Sequence, residues 1–557
     1  MANLLSPGIL VQEIDLTTIV PSVATSIGAF AGKFSWGPIN EVRTITNEVE
    51  LVSTFGKPSS TNYEYWFSAA NFLAYSNNLK TIRTANTDSK NATSSGGGVL
   101  IENSFVYETQ YNAGANTYGM FAAKYAGDLG NTLKVSIADA NTYNNTWTYF
   151  GQFTDAPSTS EYVTGQGGAN DEIHIVVVDT LGKFSNGTAN TILEKFAFVS
   201  KASDATTVGG ATNYYKNVLN QRSQYIWSLA QPNSTNWGSV AANTSFTRLA
   251  STITNRLTSG ADGSPTNSDI VQSYDLLVNP DTIDISLIIS GPADTTVAGH
   301  LIGNIAEIRK DCIVLLSPEK TDVVDNVGSE EADVIAYRNS LTSSSYAILD
   351  SGWKYQYDKY NDVYRWLPLN ADIAGLCART DNERDPWFSP AGLNRGIIKN
   401  CVKLAWNPSK ANRDSLYMKG INPVVTFQGE GTLLYGDKTL LTRPSAFDRI
   451  NVRRLFIVLE KAISKASRYS LFEFNDQFTR AQFVNLVEPY LRDVQGRRGI
   501  TDFRVVCDET NNTPEVIDRN EFVGSIYLKP SRVINGIILQ FVATRTGVEF
   551  SEIVGKA

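Results

Sequence analysis

Residues 427–440 read Phe427-Gln-Gly-Glu-Gly-Thr-Leu-Leu-Tyr-Gly-Asp-Lys-Thr-Leu440, and they bear most on what kind of molecule this is. The stretch comes within one residue of a nucleotide-binding loop. Such a loop needs Gly, four residues, then Gly-Lys-Ser/Thr, so that backbone N–H groups and the lysine wrap the phosphates. Here Gly431 is followed by four residues and Gly436, but Asp437 then stands before Lys438 and Thr439. The extra residue is an acid where a phosphate would have to sit. The sequence therefore argues against nucleotide binding.

Working outward, 557 residues are too many for one core, and three to four domains are expected. Composition is that of a folded protein, 42% apolar and 19% charged. No run approaches the roughly 20 apolar residues of a membrane span. The first ten residues carry no positive charge and are interrupted by Pro7-Gly8, unlike a secretory leader. Cys312, Cys377, Cys401 and Cys507 form no Cys-x-x-Cys pair and read as buried free thiols. His174 and His300 have no partner at metal-ligand spacing, so no metal or other cofactor is expected. Net charge is −8, yet residues 443–557 alone carry +3. Two parts of the molecule are thus expected to face different partners. Nucleic acid is not among them, for no Lys/Arg cluster with stacking aromatics occurs.

The periodicities predict a discontinuous α/β core over 21–84 and 271–445. Strands are expected at 27–32, 79–83, 283–290, 312–316, 397–403 and 424–427, with helices at 47–56, 63–75 and 295–310. Strand-helix-strand over 283–316 implies a parallel pair with a right-handed crossover. Residues 85–270, rich in Asn, Thr, Ser and Gly, read as a β-rich peripheral insertion with strands near 124–137, 171–180 and 191–201. The polar run Asp381-Asn-Glu-Arg-Asp-Pro386 reads as a solvated loop. Residues 446–530 are expected to form a C-terminal α+β domain. Its first helix starts at Asp448 and places Val452, Leu455, Phe456, Leu459, Ile463 and Ala466 on one stripe. Arg454, Lys461, Lys465 and Arg468 fall opposite, a basic face free for a partner. A second helix is expected at 479–492, and strands at 503–508 and 521–529. Residues 1–20 form an arm containing the strand Ile9, Val11, Ile14. Residues 531–557 form a C-terminal strand and arm, with Ile537, Leu539, Phe541 and Ala543 on the strand. A terminal strand with no sheet of its own must fold back or pair with another chain.

Several of these stretches resemble the tail sheath proteins of contractile, T4-like bacteriophages. Ser6-Pro-Gly-Ile-Leu-Val-Gln-Glu13 matches the opening of many of them. So do the Gly-Pro turn and the helix ending Phe55-Gly56, the strand entry at 124–137, and the run 214–227. The segment 381–392 and the block 427–440, followed by Arg449-Ile-Asn-Val-Arg-Arg454, match as well. The resemblance spans nearly the whole chain.

What it implies is a mechanical part, not an enzyme. Its core would be subtilisin-like in fold, without the histidine of a Ser-His-Asp site in any protease motif. Copies would stack as hexameric rings, helically, around a tail tube protein, between baseplate and tail terminator proteins. The protein would be assembled in the host cytoplasm, reside in the virion, and have no nucleic-acid partner and no membrane insertion. Terminal strands would be exchanged between copies, and the basic helix would face the tube. The sheath of a phage-derived injection particle or R-type bacteriocin fits the same residues. A surface-layer or adhesin protein is the alternative from another class.

Overall fold

The computed structural model describes residues 20, 23–114, 116–232, 235–535 and 537–539. It divides into two compact units, Val20–Tyr469 and one that begins at Ser470.

The first unit is built on β1 (Gly28–Gly32), a fully buried strand reading Gly-Ala-Phe-Ala-Gly. Its small residues are needed because helices press on it closely. A Cβ at Gly28 would meet the Phe72 ring, on the helix Tyr63–Leu73, at 2.6 Å. β2 (Arg43–Ile45) and β3 (Leu79–Arg83) follow. The chain then leaves for the insertion: β4 (Phe121–Ala123), β5 (Leu133–Asp139), β6 (Glu172–Asp179), β7 (Thr191–Ser200), β8 (Ile226–Ser228) and β9 (Ile253–Arg256). It returns to β10 (Leu287–Ile289), β11 (Ile313–Leu316) and β12 (Ala347–Asp350). A side sheet comes next, β13 (Trp353–Asp358), β14 (Val363–Pro368) and β15 (Lys403–Leu404). β16 (Ile421–Asn422), β17 (Val424–Phe427) and β18 (Gly431–Leu434) complete the unit.

The central sheet has the order β16-β12-β11-β10-β1-β3-β2. All its pairings are parallel except β2 with β3. Parallel strands of this kind are covered on both faces, which is why β10 and β11 are wholly apolar and β12 is apolar up to its last residue, Asp350. β3 and β10 flank β1 on its two sides. The insertion therefore leaves and rejoins the sheet one strand apart, so a large excursion costs the core little. It has its own antiparallel sheet, β7-β6-β5-β9, and its own apolar cluster around Val135, Ile175 and Val177. Arg83, at the exit of β3, joins the two parts. Its buried guanidinium donates to the carbonyls of Phe34 at 2.9 Å, Gly37 at 2.8 Å and, across in the insertion, Ala126 at 2.7 Å.

The second unit packs the helix Gln477–Gly496 through Phe483, Val487, Leu491 and Val494. It also contains the antiparallel pair β19 (Ile500–Val506) and β20 (Ser525–Pro530).

Several expectations change. The helix Ile450–Ser467 belongs spatially to the first unit, so the break falls after Tyr469 and not at 446. The helix at 295–310 is interrupted by a π-helical turn, Leu301–Ala306. The strand expected at 397–403 is reduced to one bridge, Ile397 to Leu433, and the two-residue β15. In the expected C-terminal strand, 533–535 and 537–539 are not in a sheet, and Ile537 and Leu539 are exposed. Ile9, Val11, Ile14, Phe541 and Ala543 lie outside the described residues.

Candidate interaction surfaces

The near-miss nucleotide loop is a β-hairpin. β17 and β18 pair from Val424–Leu434 to Phe427–Gly431, and the turn uses Gly429 and Gly431 at φ of 84° and 85°. Asp437 is buried, and its Oδ1 accepts from Tyr417 Oη at 2.9 Å and pairs with Arg449 Nη1 at 2.9 Å. Lys438 Nζ donates to the Tyr417 carbonyl at 2.8 Å. Thr439 and Ile450 close the link through backbone bonds to Asp448 and Asp437. The acid that spoils the phosphate loop thus ties the hairpin exit to the start of the 450–467 helix.

That helix corrects the expectation of a free basic face. Arg454 is buried, and its Nη2 reaches Asp381 Oδ2 at 2.5 Å. Asp381 lies in the last turn of the helix Asn370–Glu383 and is itself buried, so it is not part of a solvated loop. Burial drives the Asp381 pKa up, while Arg454 opposes the rise. Lys461 pairs with Asp284, lies 4.0 Å from Asp311, and donates to the Ile285 carbonyl at 3.2 Å. Arg454 and Lys461 are therefore not available to a partner. The physical reason is the path of the helix. It crosses the amino ends of β10 and β11, where Asp284 and Asp311 stand just before each strand. It is buried on both sides there, with Ile457 and Val458 inside as well as Leu455 and Leu459. Only the far end emerges: Lys465 is exposed, and Arg468 forms an exposed pair with Asp281 at 2.9 Å.

The histidines make separate structural contacts. His174 is buried, with Nε2 2.9 Å from the Asp155 carbonyl and Nδ1 accepting from the Phe198 N–H at 3.2 Å. The proton is therefore on Nε2. His300 Nε2 lies 2.6 Å from Asp275 Oδ1. Among the described residues neither ring is hydrogen-bonded to a serine or cysteine, and no group of His, Cys, Asp or Glu is arranged to hold a metal ion.

The second unit offers two candidate surfaces. β19 and β20 pair only with each other, so each has a free outer edge among the described residues. Sequence reasoning also missed a run of exposed apolar residues, Leu471, Phe472 and Phe474 in the connection ahead of the Gln477–Gly496 helix and Phe478 in its first turn. The signal was present: two phenylalanines, Phe472 and Phe474, in a short connection between two helices, where polar residues are usual.

Comparison with known proteins follows this layout. Residues 25–83 match the family model described as the tail sheath protein Gp18 domain III N-terminal region. Residues 263–440 match the phage tail sheath protein central domain, and 442–544 the phage tail sheath C-terminal domain. Between the first two spans lies the inserted β-rich part. The tail sheath protein of Enterobacteria phage T4 is 34% identical, with 100% of both chains covered. That of Vibrio phage KVP40 is 33% identical over 99% of this chain and 100% of its own. The fold is shared with the crystal structure of a sheath tail protein from Desulfitobacterium hafniense. That match has a TM-score of 0.53 and 15% identity, covering 90% of this chain and 94% of that one. A sheath tail protein from Listeria innocua gives 0.53 and 12%, covering 91% and 96%.

Proposed function

The chain belongs to the phage tail sheath family of structural proteins, and from that membership we propose that its copies stack as hexameric rings around a tail tube and contract to drive it through the host envelope. The observation that carries this is the end-to-end match to the T4 sheath protein, 34% over the full length of both chains. The reading gives the protein no catalytic role. It makes the protein a part of the virion, assembled in the host cytoplasm between baseplate and terminator proteins. The parallel order of the central sheet supports reading the core as subtilisin-like.

Energy for contraction has to reside in contacts between copies, because a population moves only by a difference in contact free energy between its states. The free edges of β19 and β20 support strand exchange as the tether. A terminal strand from another copy making four or five backbone bonds would contribute roughly 0.5–1.5 kcal/mol per bond, several kcal/mol per joint. The strands assigned to this are those containing Ile9, Val11 and Ile14, and Ile537, Leu539, Phe541 and Ala543. Tube contact is assigned to the exposed end of the 450–467 helix, Lys465 and Arg468.

Deleting residues 1–16 tests the tether. The truncated chain should remain a folded monomer by circular dichroism and sedimentation, and should form no tubes by negative-stain microscopy. Tubes indistinguishable from those of the full chain would refute strand exchange at the amino end.

A further inference from the structure

A buried lysine and a buried acid meet between the side sheet and the helix Asn370–Glu383. Lys354 lies on β13, and Asp372 stands in the first turn of the helix. Their side chains are 0% and 1% exposed, and Lys354 Nζ lies 2.9 Å from Asp372 Oδ1. Nζ also donates to the Lys399 carbonyl at 3.0 Å. Asp372 Oδ1 accepts in addition from Tyr75 Oη at 3.0 Å. Tyr75 is fixed at that spot. Its Oη accepts from the Lys399 N–H at 2.6 Å, and Gly375 leaves room for its ring, since a Cβ there would run into it. Asp372 Oδ2 is buried and makes no hydrogen bond to another described residue.

Two full charges in such a place are costly, and a pair that leaves one carboxylate oxygen bare offsets little of that. Moving one proton from Nζ to the carboxylate gives a neutral amine and a neutral acid, the forms that burial favours. Burial raises the Asp372 pKa towards the neutral acid, with Lys354 opposing. A second buried carboxyl, Asp350 at the end of β12, feels the Asp372 charge and is pushed well above the usual carboxylate range, chiefly by its own burial. A neutral amine held against a neutral acid in a dry site is a nucleophile beside its electrophile.

We propose that Lys354 and Asp372 join in an intramolecular isopeptide bond once the chain has folded. The Nζ lone pair attacks Asp372 Cγ. Oδ1 takes the developing negative charge, and the Tyr75 hydroxyl donates to it. The Cγ–Oδ2 bond then breaks. Oδ2 leaves as water, carrying the two protons that the Lys354 ammonium gives up, and Oδ1 remains as the amide carbonyl. No oxidant or further reactant is needed. The oxygen that leaves is the one that no other group holds. Lys201 and Asp139 form a second buried pair, at 3.2 Å in the insertion, and it lacks this feature. There Oδ1 accepts from the Asn141 N–H and the Thr142 hydroxyl, each at 3.1 Å, and Oδ2 from the Leu249 N–H at 2.7 Å. Neither oxygen is free to leave, so no bond is expected at that pair.

The bond would clip β13 to the helix and close residues 354–372 into a covalent ring. A subunit under load could then not lose the side sheet by breaking noncovalent contacts alone. That consequence rests on the sheath reading, whereas the bond itself does not.

The test uses the purified full chain. Its intact mass after denaturation and reduction should be lower than that of its sequence by one water. After trypsin digestion, tandem mass spectrometry should find peptide 339–359 joined to peptide 366–379, with Lys354 uncut. Full sequence mass with free peptides ending at Lys354 overturns the proposal, and so does a lost water traced to any other position. Lys354→Arg keeps the cation but removes the amine. It should show the full mass of its own sequence and a lower melting temperature than the parent. A folded Lys354→Arg variant that still lacks one water also overturns the proposal, and if that variant does not fold the parent's peptides decide. Failure of the parent to form tubes would strike the sheath reading and leave this result standing.

Discussion

Single residues in this chain act mainly by being buried together with their opposites. Arg454 and Asp381 are 4% and 3% exposed at their side chains, so neither charge is well solvated without the other. Arg454→Met should destabilise the first unit by about 3–5 kcal/mol, because it leaves a buried carboxylate unpaired. Adding Asp381→Leu should recover most of that loss. Urea unfolding of both variants checks this, and a single-variant cost below about 1 kcal/mol would mean that the pair does not form. His174 makes a second residue-scale prediction. Burial lowers its pKa from the usual imidazole value of 6.5, and its neutral ring holds both Asp155 and Phe198. The folded state therefore binds protons more weakly than the unfolded state. The stabilisation is fully present above about pH 6.5 and is lost as pH falls from there towards the lowered folded value, by up to about 1.4 kcal/mol per pH unit. Burial also raises the pKa of the nearby Glu172, so the difference between parent and His174→Gln is the informative quantity. Melting temperatures from pH 7.5 to 5 should converge as the pH falls. Parallel curves would exclude His174 as a titrating latch.

At the scale of elements, the 450–467 helix shows how an amphipathic wheel can mislead. Its apolar stripe was correctly located, but the opposite side is also occupied along the first three turns. Ion pairs with Asp284, Asp311 and Asp381 let a basic face be buried against the core. What remains for a partner is the last turn. Reversing both charges there, with Lys465→Glu and Arg468→Glu, should change stability little, since the one pair present is exposed and worth at most about 1 kcal/mol. Sheath assembly on purified tubes should weaken, and the weakening should shrink as salt rises, because the proposed contacts are screened. Assembly equal to the parent at low salt would remove these residues from the tube interface. Elements whose apolar pattern faces one continuous core were the most legible in sequence: β3 at 79–83 is as expected, and the strands at 28–32, 172–179 and 191–200 differ by a residue or so. Short strands such as β15 were not, because two residues of pairing leave no periodicity to detect.

At the scale of the whole molecule, the insertion is attached through one corner of the central sheet, with Arg83 binding carbonyls on both sides of the junction. A part attached in this way can vary without disturbing the core. Gly97 sits in an exposed turn where an added Cβ would meet nothing within 4 Å. A small tag inserted beside Gly97 should leave both folding and tube formation intact. Failure of several unrelated inserts there to assemble, from folded monomers, would mean that this part of the insertion is not free surface.

The sequence by itself determined the family, the α/β core divided by a β-rich excursion, and the broken nucleotide motif. Each of these is written in local patterns: glycine spacing, alternation, and runs of apolar residues matched to a strand or a helix turn. Only the tertiary structure decided which charges are free. Asp284 and Asp311 lie some 150 or more residues from Lys461 in the chain, and no local pattern reports that they meet it. For the same reason the division between units falls at Tyr469/Ser470 and not at the start of the basic helix. Burial of the helix depends on the amino ends of strands brought from elsewhere. The exposure of Phe472, Phe474 and Phe478 was likewise undecided by sequence. An aromatic run reads as core until the fold shows its side chains exposed among the described residues.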